Sequence, residues 1–212
     1  MMLGARTAAW SGKQLPYYAE VKYLESTGTQ YIDTGVKADR STVVKCALSV
    51  VRRSTNGYVV WGAAKGDGTL GLYDAVALAE KYNNPSTLYL LDTYNNNNMQ
   101  SISYGQDLLV ECVLSDGSIT INGTTTSHNY YTLIKIADYP IWVFGENLAG
   151  NLFRPSHIKL SFLQILQSDI LVRDFIPVLD REMRPAMYDR VTGKLFYNKG
   201  TGEFIIGPDK TT

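Results

Sequence analysis

Carboxylates, histidines, cysteines and tyrosines are the side chains through which this sequence could do chemistry, and their spacing decides which chemistry is open to them. Cleaving a glycosidic bond takes two opposed carboxyl groups, which one strand supplies when acids alternate along it as Glu-x-Asp-x-Glu. Glu20, Glu25, Glu80, Glu111, Glu146, Glu182 and Glu203 all fail that spacing. Acidic pairs such as Asp174 and Asp180 lie toward the end of a predicted strand and beyond it, separated by Pro177. Hydrolysis by a carboxylate pair is therefore not expected. His128 and His157 stand in unrelated contexts, and no Gly-x-Ser-x-Gly turn, zinc-spaced Cys/His cluster or Asp-x-Asp-x-Asp-Gly loop is present. No catalytic residue is assigned and no cofactor is expected. Calcium held by loop carboxylates and carbonyls stays open, with Asp67 and Asp92 as the residues to inspect, although turn formation accounts for both.

Aromatic side chains offer a different chemistry. The chain has 15 Tyr, 3 Trp and 6 Phe, and tyrosine joins a flat apolar face to a hydroxyl, which suits sugar rings and protein surfaces alike. Functional contacts concentrate on loops, and Tyr94 opens a polar loop in which Asn95, Asn96 and Asn98 can both donate to and accept from sugar hydroxyls. The expected ligand-binding set is Tyr94, Asn95, Asn96, Asn98, Tyr130 and Tyr131. Trp61 and Tyr73 also fall near predicted loops, whereas Trp61 and Trp142, read as mid-strand residues, are expected in core packing. With 20 basic and 20 acidic residues and zero net charge, nothing steers the chain toward polyanions. The expected ligand is a neutral glycan or a protein surface, with no nucleic acid partner.

Short strands must position these groups. At 212 residues, 45% hydrophobic and 19% charged, the chain can bury an ordinary core as one domain. Strand candidates recur from about residue 20 to 206. Asn56-Gly57, Asp67-Gly68, Asp116-Gly117, Asn122-Gly123 and Thr192-Gly193 supply turn signals between them. This pattern predicts an all-β, two-sheet antiparallel sandwich of the jelly-roll kind. Asp74 to Tyr82 has an N-cap residue and good helix formers, so one or two helical turns, or an ordered loop, are expected there. The apolar phase slips between Phe162 and Leu163, which predicts a β-bulge. Alternation points Cys46 and Cys112 inward, as reduced core residues.

Three segments carry a family resemblance: Tyr23-Leu-Glu-Ser-Thr-Gly-Thr-Gln-Tyr-Ile-Asp-Thr-Gly35, Leu171-Val-Arg-Asp-Phe-Ile-Pro-Val178, and Met187 to Asn198 with Gly200-Thr-Gly-Glu-Phe204. Together they resemble the LamG-like, concanavalin A-type lectin/glucanase sandwich, in the version found in phages and prophages of gut bacteria. The resemblance spans roughly residues 20–207. It implies that the C-terminal strands close against the Tyr23–Thr34 segment, and that Asp33, Arg173, Asp174, Asp189 and Asn198 are structural polar groups. It also implies a non-catalytic recognition or adhesion module, displayed in several copies on a virion as a head or tail fibre or a decoration protein. The partners would be a cell-surface carbohydrate or protein receptor, plus other virion proteins reached through residues 1–19 as an attachment arm. Residues 208–212 are read as a tail. The alternatives are a purely structural virion protein and a glycoside hydrolase or lyase. Residues 1–16 lack the apolar stretch of a signal peptide and no run could span a bilayer. Synthesis in a bacterial cytoplasm and residence in the virion are therefore expected.

Overall fold

The computed structural model describes residues 15–52, 58–65, 74–81, 84–91, 99–127 and 136–210. Its strands are β1 (Tyr17–Glu20), β2 (Leu24–Glu25), β3 (Ile32–Lys37), β4 (Val43–Val50), β5 (Val59–Lys65), β6 (Asp74–Lys81) and β7 (Asn84–Leu91). There follow β8 (Met99–Ser101), β9 (Asp107–Val113), β10 (Ser118–Ile121), β11 (Thr124–Thr126), β12 (Pro140–Val143), β13 (Glu146–Leu148) and β14 (Asn151–Phe153). The chain ends with β15 (Ile158–Gln167), β16 (Ile170–Asp180), β17 (Pro185–Asp189), β18 (Lys194–Tyr197) and β19 (Ile205–Ile206). No helix occurs among the described residues.

The strands form two sheets. The larger runs β11-β10-β9-β4-β15-β16-β17-β18, with β1 on β16, β2 on β15 and β19 on β2; the smaller runs β14-β13-β5-β6-β7-β8, with β12 joining β3 to β5. Pairing is antiparallel apart from β13 on β5. One core fills the space between them. Val44, Cys46, Leu48 and Val50 of β4 belong to it with Trp61, Val76, Leu78, Leu88 and Leu90 of the smaller sheet. The expected sandwich is the observed one.

Local sequence explains much of this. β10 and β11 meet through the two-residue loop Asn122-Gly123, both at positive φ (49° and 84°), the conformation a type I′ hairpin turn requires. The expected bulge lies at Ser161, where the register with β4 jumps from Leu160–Leu48 to Phe162–Ala47. Cys46 and Cys112 are buried and free. They lie on adjacent strands, each paired with a valine, and burial pushes the Cys46 thiol up to about 12.

Two expectations fail. Residues 74–81 form strand β6 rather than helical turns. Helix propensity is a weak prior, and here β5 and β7 offer backbone partners on both sides. The segment alternates as a strand should: Val76 and Leu78 join the main core while Ala77 and Ala79 pack on the opposite face. The second failure concerns Asp180, which belongs to β16 because that strand runs through Pro177. β15 pairs with β16 up to Phe175 and β1 takes over at Val178, so the missing N–H of Pro177 falls between two partners. Its carbonyl still accepts from Val21 N at 3.1 Å.

The terminal segments close on each other as the resemblance implies. Ile205 pairs with Glu25, Lys199 N donates to Tyr31 O, and Gln30 Nε2 donates to Glu203 O at 3.0 Å. Gly200 sits against the Thr29 carbonyl with no room for a Cβ. The signature polar groups do structural work. Asp189, with no exposure, accepts from the backbone N–H of Asp174 and Val191 and from the Thr192 hydroxyl. Asp174 holds Arg190 through two bonds of 2.8 and 3.0 Å, and Arg173 Nε donates to Thr34 O. Residues 17–20 and 208–210, at the ends of the sequence-read arm and tail, are bonded into the larger sheet.

Candidate functional site

Alternation along β4 sends Leu48 and Val50 inward and leaves Ala47 and Ser49 on the outer face of the larger sheet. Ser49 pairs with Asp107 on one side and Lys159 on the other, so three side chains line up across β9, β4 and β15. Small residues make this face concave: Ala47, Ser49 and, at the bulge, Ser161 form the floor of an open groove of about 580 Å³. That volume lies within the ordinary range of ligand clefts, about 300–1,000 Å³.

One wall of the groove is a stack. The Tyr23 ring lies under the Lys159 ammonium, 4.8 Å from its centroid. It also presses on Gly207, where a Cβ would come within 2.9 Å of the ring. Tyr23 thus places Lys159. Glu25 holds Lys159 only loosely, at 3.8 Å. Lys22 and Asp107, both exposed, complete the rim. The groove thus presents hydroxyls, two cations and one carboxylate around a floor of small side chains, an arrangement suited to holding a polar ligand.

A second cluster occupies the outer face of the smaller sheet. Val59, Ala77, Ala79 and Tyr89 pack there apart from the main core. Trp142 pairs with Gly62 and Asp33, and its ring stacks on Tyr31 with centroids 4.0 Å apart and planes at 21°. Trp61 lies in the core as expected; Trp142 is buried on this other face instead, with its neighbours Ile141 and Val143 pointing inward. Glu146 is 3% exposed, and its Oε1 has no hydrogen-bond partner, like Nε1 of Trp142. Burial pushes the Glu146 carboxyl up to about 7, against the pull of Arg154. Its charged or titratable neighbours are Arg154 and Tyr89. Glu80, also buried, points the opposite way into the core, where the Tyr104 hydroxyl donates to it. The two buried glutamates are therefore not an opposed pair. Among the described residues no group of three His, Cys, Asp or Glu could hold a metal ion.

Tyr94, Asn95, Asn96, Asn98, Tyr130 and Tyr131 all lie outside the described residues, as do Asp67, Asp92, Tyr73 and His128. His157 is placed by Gly28, whose φ of 99° brings its backbone against the imidazole. The sequence reading missed both clusters described above. For the groove the available signal was the small, polar outward phase of β4, Ala47 and Ser49, on a strand whose inward phase is all apolar. For Glu146 no local signal existed, because its burial comes from strands distant in sequence.

The class these features define is the two-sheet antiparallel β-sandwich, with a concanavalin A-like fold. No family profile and no characterised protein sequence matches the chain. Among solved structures it is similar to a candidate carbohydrate-binding protein from Bacteroides ovatus ATCC 8483, at 12% identity and a TM-score of 0.58, over 91% of this chain and 61% of that one. The chain thus spans less than two thirds of that protein's length. It is also similar to the native heptameric SAP-like pentraxin of Limulus polyphemus, at 15% identity and a TM-score of 0.45, over 94% and 93% of the two chains. At these identities the likeness establishes the fold, and the second carries no further argument.

Proposed function

We propose that the chain is a non-catalytic carbohydrate-recognition module that contacts its ligand through the groove on the larger sheet. The observation that carries this reading is the groove itself, a concave floor of Ala47, Ser49 and Ser161 rimmed by polar side chains. The fold shared with a candidate carbohydrate-binding protein is consistent with it. Residues 94–98 and 130–131, expected from the sequence to offer tyrosine stacking, are proposed as a further contact set. Shallow sites of this kind bind weakly one at a time, so useful attachment takes several copies. On the strength of the sequence resemblance, multicopy display on a virion is proposed as the setting.

The test is a glycan array probed with the intact chain and with Ala47→Trp, which fills the groove from an outward position. Binding by the parent and its loss in the variant, at an unchanged thermal midpoint, is the expected result. Full binding by a folded Ala47→Trp protein would remove the groove from the account. The second reading is a glycoside hydrolase with Glu146, a buried carboxyl raised into the range of a general acid, as its acid; the carboxylate opposite it would have to come from outside the described residues. Reducing-end release from a polysaccharide panel, abolished by Glu146→Gln, would establish that reading.

A further inference from the structure

The groove's charged groups point to a narrower ligand class: we infer that it takes a carbohydrate bearing carboxylates, an oligosaccharide of the uronic acid kind. This rests on the carbohydrate reading above and deepens it. Lys22 and Lys159 face a single acid, Asp107, among the groove's lining residues. Lys22 forms no ion pair among the described residues. Lys159 is held in place by the Tyr23 ring and only weakly compensated by Glu25 at 3.8 Å. A lysine pinned by an aromatic ring has already lost much of its rotamer freedom, so less entropy is lost when it binds an anion. With Lys159 over the Tyr23 ring, recognition in the groove falls mainly to hydrogen bonds and charge.

The order of groups across the sheet sets the ligand's orientation. Asp107, Ser49 and Lys159 sit on three successive strands, so the acid and the lysine are two strand spacings, about 10 Å, apart. That is wider than one sugar ring. An oligosaccharide can place a carboxylate at Lys159 and Lys22 while an unmodified ring further along donates hydroxyls to Ser49 and Asp107. Asp107 repels a carboxylate at its own end, which fixes the direction of the chain.

The experiment is isothermal titration of the full chain with a trisaccharide of one glucuronate ring on two neutral xylose rings, and with its methyl ester, the same backbone without charge. It is run at low and high salt and repeated with Lys22→Gln and Lys159→Gln. A charge-assisted bond exceeds a neutral one by enough to give the acid roughly tenfold tighter binding than the ester at low salt. The preference shrinks as salt rises and is lost when both lysines are replaced. Lys22 is exposed and outside the Tyr23 stack, so Lys22→Gln keeps the test valid even if Lys159→Gln disturbs the wall. Equal binding of acid and ester, or a preference that survives in the variants, overturns this inference and leaves the carbohydrate reading intact. Binding of neither, with neutral glycans bound on the array, overturns it in the same way; a silent array as well would overturn both.

Discussion

Glu146 shows what a single residue can hide from sequence and reveal in the fold. Its carboxyl is shielded by strands far away in the chain, and burial raises it from the ordinary 4.5 to about 7. The folded state therefore binds a proton more tightly than the unfolded chain does. Any stability linked to this proton is fully present below the unfolded value and is lost as pH rises toward about 7. Glu146→Gln keeps the shape and removes the ionisation, so it should stabilise the protein at pH 8 and change little at pH 4. The full shift corresponds to on the order of 3 kcal/mol, read as the pH-dependent difference in urea midpoints between variant and parent. A stability difference that stays flat from pH 4 to pH 8 would contradict it. Asp180 shows the opposite behaviour: burial raises its carboxyl, but the Arg184 N–H, the Tyr197 hydroxyl, the Arg184 guanidinium and the Glu182 N–H outweigh that and bring it to about 2. Arg173 reaches Thr34 O from far along the chain, but the signature residues at turns could be read from sequence through their short-range partners. Asp189, for example, bonds Val191 and Thr192 within three residues. The groove lysines could not, because Lys22 and Lys159 are brought together only by the pairing of β15 with β2.

At the level of elements, legibility followed the strength of local punctuation. The Asn122-Gly123 hairpin, the Ser161 bulge and the inward cysteines were all visible as patterns of two to ten residues. β6 was misread because alanine, leucine, glutamate and lysine favour helices one by one, while the Val76–Ala77–Leu78–Ala79 alternation carries only a weak contrast between large and small. β16 was cut short at Pro177, since nothing in the sequence shows that the strand changes partner there. The join between the chain's two ends makes a sharper test. Gly200 lies against the Thr29 carbonyl, and backbone on both sides leaves little room to yield. Gly200→Ala should cost about 1–3 kcal/mol by overpacking, which for a domain of this size lowers the thermal midpoint by roughly 2–12 °C. Lys199→Ala, exposed next door, should leave the midpoint within about 2 °C. Equal midpoints for Gly200→Ala and the parent would mean that the ends do not close as described.

At the level of the whole molecule, the sandwich was legible because it is repetitive: many short alternating segments, each closed by a turn, have few other ways to bury their apolar faces. A binding surface has no such redundancy. It depends on which outward residues happen to be small and which charged ones flank them, and in this molecule those residues come from β4, β9, β15 and the segment around β2. The proposed ligand, a carbohydrate, would be held there. The most direct test is a titration of the ¹⁵N-labelled chain with the strongest ligand from the array, followed by amide chemical shifts. Saturable shifts should concentrate at Lys22–Tyr23, Ala47–Val51, Gly105–Leu108 and Lys159–Ser161, with the Tyr31–Trp142 face unmoved. Saturation that leaves those amides in place, or moves only residues on the smaller sheet, would contradict the assignment of the site.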